Sequence, residues 1–217
     1  MEQYQVKYRE NKYLAVQMLD KNIKNIIERI NKYSPNVGMH CVYTAIYAST
    51  IAEILGYEDS LIHQITAGSL IHDLGKIFIP TEILNKTTSL TQKEFEIIKY
   101  HPQFGYIQIE NLFGPVIRDI VLLHHEKLDG NGYPKGITQI PEYVQIVTVA
   151  DEYDALTSER CYKKTFSFEQ ALMELKEDVH KGKLNEKIVN VICEGWLHDM
   201  EKYHDMSALQ KQNGFVS

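Results

Sequence analysis

Several features that would assign a chain to a special class are scarce or missing in these 217 residues. The three cysteines, Cys41, Cys161 and Cys193, form no CxxC pair, which argues against a disulfide scaffold and is typical of reduced intracellular thiols. There is no run of about 18 uninterrupted apolar residues, so we expect no membrane span. The first residues lack the basic and apolar segments of a signal peptide. We therefore expect a cytoplasmic protein.

An excess of positive charge is also missing. The chain has 23 Lys and Arg against 29 Asp and Glu, which gives a net charge of −6. This balance argues against broad binding of nucleic acid, so we expect no DNA or RNA duplex as a partner. The negative net charge does not exclude a small phosphate ligand at a metal site, because bound cations reverse the local sign of the charge.

Strand-like segments are hard to find, whereas apolar residues at helical spacing are common. Ser34 before Pro35 marks one helix start, and the capping boxes Thr91–Glu94 and Ser167–Gln170 mark two more. Helices are predicted over 12–32, 34–55, 59–75, 91–101, 104–112, 115–126, 141–157, 168–180 and 185–198, with Asp59 or Ser60 as the cap of the third. The fold class is therefore predicted to be all-α, without a significant sheet.

The length of the chain fits one domain with added terminal segments, because no Pro/Gly/Ser linker divides it. We predict an N-terminal helical extension over 1–33, a main helical domain over 34–200 and a polar tail over 201–217. The stretches 76–90 and 128–136 fit neither helix nor strand. The second is rich in glycine and follows ligand-type residues, so we expect it to be a functional loop.

Ligand-type side chains project from otherwise apolar helical segments. They are His40, His72-Asp73, His101, His124-His125 and Asp151. Burial of unpaired carboxylates and imidazoles costs several kcal/mol each unless something satisfies them, and one or two divalent metals would do so. Imidazole and carboxylate ligands without thiolate suit Fe, Mn, Zn, Co or Ni. Neighbouring helical residues diverge by about 100°, so each adjacent pair serves two metals better than one, and Asp73 is the natural bridge.

These residues also carry a family resemblance. His40, His72-Asp73 and Asp151 resemble the H…HD…D signature of the HD phosphohydrolase superfamily. The HHExxDGxGYP run over His124–Pro134 is more specific. Together with residues 72–76, His101-Pro102, 150–158 and 160–163, it looks like the HD-GYP subfamily, over about residues 34–195.

The resemblance implies a fold, a cofactor and a reaction. The fold would be an HD-type helical bundle with a Gly-rich GYP loop and a centre of two or three metals. The reaction would be hydrolysis of cyclic di-GMP to linear pGpG, and often onward to GMP. Some members of the subfamily act instead on the mixed cyclic GMP–AMP dinucleotide.

The resemblance also implies roles for single residues. One metal would be held by His40, His72, Asp73 and Asp151. The second would be held by Asp73, His101, His124 and His125. We expect two divalent transition-metal ions, with iron or manganese favoured and zinc or nickel as alternatives.

Further residues are expected around this centre. Lys76 lies one helical turn after His72 and would act with Asp73 in catalysis. Arg160 and Lys163 resemble the phosphate-binding pair of the subfamily, and Tyr133 would line or stack on a guanine pocket. Asp154 would support a metal ligand or Arg160 from one turn after Asp151, and Glu126 would orient a neighbour or cap surface charge.

One position departs from the subfamily pattern. Members with a third metal carry a Glu one turn before the first ligand histidine, and Asn36 occupies that position here. A neutral amide is a poor substitute for a carboxylate, which favours two metals and slow or narrow hydrolysis.

Other functions stay open at this point. They are an HD phosphohydrolase for another nucleotide, a non-hydrolytic or weakly hydrolytic cyclic dinucleotide-binding signalling module, and a di-iron oxygenase. A homodimer or a signalling partner would be contacted through residues 1–33 or through the GYP loop.

Overall fold

The computed structural model describes residues 20–158 and 166–194. Within these ranges the chain forms α-helices and one 3-10 helix and contains no strand, which confirms the all-α prediction. The α-helices are α1 (Lys21–Tyr33), α2 (Pro35–Ile54), α3 (Asp59–Ile71), α4 (Thr81–Leu84), α5 (Gln92–Ile98), α6 (His101–Ile109), α7 (Pro115–Leu123), α8 (Glu142–Thr157), α9 (Phe168–His180) and α10 (Glu186–Cys193), and the 3-10 helix is Leu74–Phe78.

Side-chain caps fix several helix starts as predicted. Ser34 caps α2, with Pro35 as its first residue. The capping boxes of Thr91 with Glu94 and of Ser167 with Gln170 are both formed. Each box satisfies backbone N–H groups that a helix start leaves without partners, which explains why these short sequence signals located the helices well.

Four predicted helix ends and one cap are wrong. Two of these ends are three residues too late, because α6 ends at Ile109 instead of 112 and α7 at Leu123 instead of 126. α5 ends at Ile98, and His101 is not the end of that helix but the first residue of α6. Pro102 fits there because a residue in the first turn needs no intrahelical N–H bond. α3 ends at Ile71 instead of reaching Gly75, and its N-cap is Glu58, without a side-chain cap bond.

The stretch 76–90, predicted to be irregular, is partly helical. The 3-10 helix Leu74–Phe78 extends into it and α4 lies within it. Both pieces are a turn or two long, which is too short for an apolar period to be visible in the sequence.

The larger hydrophobic core joins α2 to α8. Tyr47 of α2 and Tyr153 of α8 are at most 1% exposed and meet edge to edge, with ring centroids 5.0 Å apart. Such a pair favours a fixed separation of the two helices. The contact therefore holds α2 and α8 side by side, which brings His40 of α2 close to Asp151 of α8.

A second core cluster lies under α1. Ile23, Ile26 and Ile30 of α1 are buried against residues that include Leu70 and Ile71 at the end of α3. Complete burial of an isoleucine side chain is worth about 2 kcal/mol, so this helix contributes to the core that supports the end of α3.

Parts of three predictions cannot be compared with the structure. The first half of the predicted 12–32 helix, the end of the 185–198 helix and the tail 201–217 lie outside the described residues, and the domain boundaries stay a prediction. None of the described helices is long and apolar enough to cross a membrane.

Candidate metal centre

Five helical segments bring all seven predicted metal ligands together at one place. The ligand atoms form two groups, in each of which all atoms lie within 4.8 Å of one another. One group consists of His40, His72 and Asp151, and the other of Asp73, His101, His124 and His125. All are buried except His125, which is partly exposed. The predicted ligand set is therefore a compact cluster in space, although it spans residues 40–151 in the sequence.

Asp73 lies between the two groups. Its Oδ2 atom is 3.5 Å from Nε2 of His72 and 3.7 Å from Nε2 of His40. Its Oδ1 atom is 3.1 Å from Nε2 of His101 and 3.9 Å from Nε2 of His124. Each oxygen of this one carboxylate thus faces a different group, which is the arrangement that a bridging ligand requires.

Helix ends orient two of the imidazoles. His72 follows the last residue of α3, and its Nδ1 donates to the Ser69 carbonyl at 2.7 Å. Nδ1 of His101 donates in the same way to the Ile98 carbonyl at the end of α5, at 2.8 Å. The last carbonyls of a helix have no intrahelical partner, and a carbonyl only accepts. Nδ1 therefore carries the proton in both rings, and Nε2 presents a lone pair when the ring is neutral.

His124 repeats this pattern at the end of α7. Its Nδ1 is 3.1 Å from the carbonyl oxygens of Ile120 and Val121. Its Nε2 faces Nε2 of His101 at 3.2 Å, so two lone pairs point at each other. Burial holds the pKa of His72 below, and that of His124 well below, the ordinary value, which favours neutral rings. Facing acceptor atoms of this kind fit a cation between them.

Two buried atoms without hydrogen-bond partners in the described part of the chain are consistent with a metal at this cluster. Nε2 of His72 and Oδ1 of Asp73 are buried, and neither has a hydrogen-bond partner among the described residues. Each unpaired buried polar group costs about 1–3 kcal/mol. A divalent transition metal, for which imidazole nitrogen and carboxylate oxygen are suitable ligands, would remove this cost.

The carboxylates of the cluster are ionised. Burial alone raises the pKa of Asp73, but Lys76 and His72 outweigh it and hold the pKa well below its usual range. Burial also raises the pKa of Asp151, and the hydrogen bond and charge of His40 reverse the shift in the same way. Both side chains are therefore available as anionic ligands at neutral pH.

His40 is held by a carboxylate on each side. Its Nδ1 lies 2.5 Å from Oδ2 of Asp154, and its Nε2 lies 2.9 Å from Oδ1 of Asp151. Burial lowers the pKa of His40, but the bonds to Asp151 and Asp154 raise it to about 9 overall. Oδ1 of Asp154 also accepts from the hydroxyl of Ser158 at 2.8 Å. Asp154 thus contacts His40, one of the two roles that the sequence left open for it.

Lys76 lies close to Asp73, but it belongs to a different structural element from the one predicted. It does not continue the helix of His72 but lies in the 3-10 helix, and its Nζ is 2.5 Å from Oδ2 of Asp73. The 3-10 helix contacts the start of α6 closely: a Cβ atom at Gly75 would lie 1.8 Å from the carbonyl oxygen of His101. Only glycine permits this approach, which places Lys76 and His101 on either side of Asp73.

Glu126 organises the loop after the paired histidines. It is 1% exposed, and its carboxylate accepts from the backbone N–H groups of Lys135 at 2.6 Å and Ile137 at 3.1 Å. A Cβ atom at Gly132 would lie 2.4 Å from Cα of Glu126, so the loop can fold back here only with glycine. The contacts of Glu126 therefore support the loop rather than a ligand histidine.

Tyr133 of this loop lies against the partly exposed side of the cluster. Its ring is 4.6 Å from that of His125, with 31° between the ring planes. The Lys99 ammonium group lies 5.9 Å from the centre of the Tyr133 ring. Nδ1 of His125 faces Oδ2 of Asp151 at 3.7 Å. The predicted substrate residue Tyr133 is thus adjacent to the metal cluster, whereas Arg160 and Lys163 lie outside the described residues.

One cluster member was missed in the sequence. The Sγ atom of Cys41 lies within 4.8 Å of ligand atoms of His72 and Asp73. Cys41 is 2% exposed, and burial raises its pKa well above the ordinary value, so a neutral thiol is favoured over the thiolate that binds metals. The only sequence signal was its position directly after His40.

Comparison with known proteins shows the family to which the chain belongs. Residues 16–188 match the HD domain family. A cyclic di-GMP phosphodiesterase of Thermotoga maritima is 40% identical over 131 residues, covering 58% of this chain and 36% of that protein. A 3'3'-cGAMP-specific phosphodiesterase of Vibrio cholerae is 33% identical over 181 residues, covering 80% of this chain and 34% of that protein. The chain thus spans about a third of the length of these relatives.

Solved structures show the same fold. Bd1817, an HDG"Y"P protein from Bdellovibrio bacteriovorus, aligns with a TM-score of 0.62 at 23% identity, over 85% of this chain and 62% of that chain. The HD domain of the phosphodiesterase PgpH from L. monocytogenes, in complex with cyclic-di-AMP, also aligns with a TM-score of 0.62, at 17% identity, over 82% of this chain and 96% of that chain. Fold, motifs and family match agree, and the chain is an HD-GYP domain protein of the HD domain family.

Proposed function

We propose that this protein is a metal-dependent phosphodiesterase that hydrolyses cyclic di-GMP to pGpG. The observation that carries the proposal is Asp73, a buried carboxylate whose two oxygens face two separate groups of histidines. Several relatives are named as cyclic di-GMP phosphodiesterases, including one of Pseudomonas aeruginosa that is 36% identical over 143 residues. Both lines support a centre built to cleave a phosphodiester.

The proposal assigns two divalent transition-metal ions to the cluster, with iron or manganese favoured and zinc or nickel as alternatives. His40, His72, Asp73 and Asp151 would hold one ion, and Asp73, His101, His124 and His125 the other. When bound, a pair of such ions lowers the pKa of water and neutralises charge on a phosphodiester.

The chain's own residues orient and bind the substrate in this account. Lys76 holds its ammonium group beside Asp73, where it donates to a phosphate oxygen and stabilises the charge that develops in the transition state. Tyr133 borders the cluster on the side of His125, which is the partly exposed ligand and marks where substrate enters. Arg160 and Lys163 are proposed to bind phosphate. The planar guanidinium group of Arg160 is well suited to this role, because it can donate two parallel hydrogen bonds to a phosphate.

Asn36 supports a centre of two ions rather than three. It is the second residue of α2, one helical turn before His40, and its side chain offers only a neutral amide. We propose that Asn36→Glu raises the metal content towards three ions per chain and accelerates a second cleavage of pGpG. A content of three ions in the unaltered protein would contradict this part of the proposal.

A second candidate substrate is the mixed cyclic GMP–AMP dinucleotide. The Vibrio cholerae relative that matches 80% of this chain is named as specific for 3'3'-cGAMP. The chemistry at the phosphorus is the same for both substrates, so recognition of the bases decides between them. Comparison of kcat/KM for cyclic di-GMP, 3'3'-cGAMP and cyclic di-AMP separates the candidates.

A cytoplasmic location also belongs to this proposal. The described cysteines, Cys41 and Cys193, are free thiols, which is typical of a reducing compartment. Contact with a second copy or a signalling partner through residues 1–33 or the GYP loop stays a prediction.

The direct test is hydrolysis of cyclic di-GMP by protein purified with Fe and Mn supplied and assayed under reducing conditions. We expect pGpG to form, and we expect a chelator to abolish the activity and added metal to restore it. Asp73→Ala is the inactive control. Binding of cyclic di-GMP without turnover by the metal-loaded protein would favour the non-hydrolytic signalling module instead.

A further inference from the structure

Three aromatic residues close in the sequence to Lys76 and His101 have no role in the function proposed so far. Phe78, Tyr100 and Phe104 form a continuous group, which we call the aromatic face. Phe78 is 46% exposed and Tyr100 is 54% exposed. The ring of Phe104 is 6.1 Å from each of the other two, nearly parallel to Tyr100 at 27° and steeply inclined to Phe78 at 66°. An exposed apolar patch of this kind is typical of a binding surface.

The aromatic face joins two elements that also carry residues of the centre. Phe78 is the last residue of the 3-10 helix that carries Lys76. Tyr100 is the N-cap of α6 and directly precedes His101, and Phe104 follows it by one turn. The face is therefore connected to the centre on both sides through one or two residues of backbone.

Close backbone packing fixes the distance between these two elements. A Cβ atom at Gly75 would lie 1.8 Å from the carbonyl oxygen of His101 and 2.7 Å from the backbone nitrogen of Gly105. The rings thus stand on a rigid junction rather than on a loop. The rings therefore hold a fixed position relative to the backbone of His101.

We propose that the aromatic face stacks a purine base of the cyclic dinucleotide whose phosphodiester lies at the metal centre. This inference rests on the proposed function and adds a base subsite to it. A cyclic dinucleotide carries two bases, one on each side of its ring of sugars and phosphates. When one phosphodiester lies at the metals, a base extends past the centre, and aromatic rings are the surface on which bases stack.

The nearest lysines in the sequence do not bind the face itself. Lys76 is paired with Asp73 at the centre, and Lys99 is paired with Glu96 at 3.0 Å and lies over the rings of Phe95 and Tyr133. The proposed contact with a base therefore relies on stacking, which every base can make on an aromatic ring.

The test replaces single rings by an aliphatic side chain. Tyr100→Leu and Phe78→Leu keep apolar bulk but remove the stacking surface. We expect each to raise KM for cyclic di-GMP about tenfold with kcat retained, and we expect Tyr100→Trp to keep the wild-type KM. Hydrolysis of methyl p-nitrophenyl phosphate, a phosphodiester without a purine, should be unchanged in all three variants.

Ile107→Ala is the matched control. Ile107 is 60% exposed on the same face of α6, seven residues after Tyr100, but it has no ring. We expect this variant to keep the wild-type KM. An equal effect of Ile107→Ala would overturn the inference in favour of a general apolar contact, such as a protein partner.

Failure of the inference and failure of the proposed function give different results. If the wild type hydrolyses cyclic di-GMP and both leucine variants keep its KM, the base subsite is wrong and the phosphodiesterase proposal stands. If the wild type does not hydrolyse it, the dissociation constant of cyclic di-GMP for the metal-loaded proteins replaces KM. Weaker binding by both leucine variants supports the subsite, and equal binding overturns it.

Discussion

Asp154 contacts His40 on the side opposite to the metal cluster. Oδ2 of Asp154 lies 2.5 Å from Nδ1 of His40, and Nε2 of the same ring points to the group that contains His72 and Asp151. A carboxylate behind a ligand histidine fixes the orientation of its ring and raises its basicity. Asp154 is thus placed to control how well His40 binds metal without binding metal itself.

Removal of Asp154 should therefore weaken metal binding. We expect Asp154→Ala to lower the affinity of the group that contains His40 about 10–100-fold. Competition with a chromophoric chelator measures the affinity directly. Ser158→Ala is the matched control, because it removes a hydrogen bond from Asp154 but leaves the carboxylate on His40. Equal affinities for Asp154→Ala and Ser158→Ala would contradict this role.

The loop that carries Tyr133 should depend on Glu126. Its buried carboxylate is the acceptor for the backbone N–H groups of Lys135 and Ile137. Glu126→Ala leaves both donors without this partner. We expect it to lower the free energy of unfolding by about 2 kcal/mol and to raise the KM for cyclic di-GMP. Urea denaturation and steady-state kinetics check both effects. Asp129→Ala, in the same loop but partly exposed, should cost less in both measurements.

The capping box of α5 should make stability depend on pH. Hydrogen bonds from Lys86 and from the backbone and hydroxyl of Thr91 lower the pKa of Glu94 from 4.5 to about 2. Because the folded-state pKa is lowered, the stabilisation is fully present above about pH 4.5 and is lost as the pH falls towards 2.

The measurement is the urea midpoint of the wild type and of Glu94→Gln between pH 7 and pH 3. The wild type should be more stable at pH 7, and the difference should shrink as the pH falls. Glu28→Gln, an exposed position on α1, is the control. A difference for Glu94→Gln that stays constant over this range would show that the charge of Glu94 has no part in the cap.

Lys76 and Arg160 should affect different kinetic constants. Lys76 lies beside Asp73 at the reacting centre, so Lys76→Ala should lower kcat for cyclic di-GMP more than it changes KM. Arg160 is proposed to contact a phosphate in the ground state, so Arg160→Ala should chiefly raise KM. Wild-type kinetics in both variants on every cyclic dinucleotide tested would show that both roles are wrong.

The sequence predicted those parts of the structure that depend on local rules. Ser34-Pro35 and the box Thr91–Glu94 located helix starts because a cap needs only residues a few positions apart. The ligand set could be recognised because its motifs stand in a fixed order. His101 was assigned to the wrong helix because Pro102 is compatible with either a helix end or a helix start, and only the packing of α6 decides between them.

Long-range contacts were outside the reach of the sequence. The carbonyl partners of the histidine rings depend on where each helix ends, which is uncertain by a few residues in any sequence-based assignment. The position of Cys41 beside Asp73 depends on the packing of α2 against the end of α3. The aromatic face likewise results from the contact between Gly75 and α6, which no local pattern indicates.

Metal stoichiometry in the wild type and in Asp73→Ala tests the central claim most directly. The two oxygens of Asp73 face two groups of histidines, so one carboxylate serves both proposed metal positions. Elemental analysis of protein prepared with Fe and Mn supplied should give about two ions per chain for the wild type and close to none for Asp73→Ala. His101→Ala, which alters one group only, should retain about one ion. Absence of metal in the wild type, or an unchanged metal content in Asp73→Ala, would contradict the account.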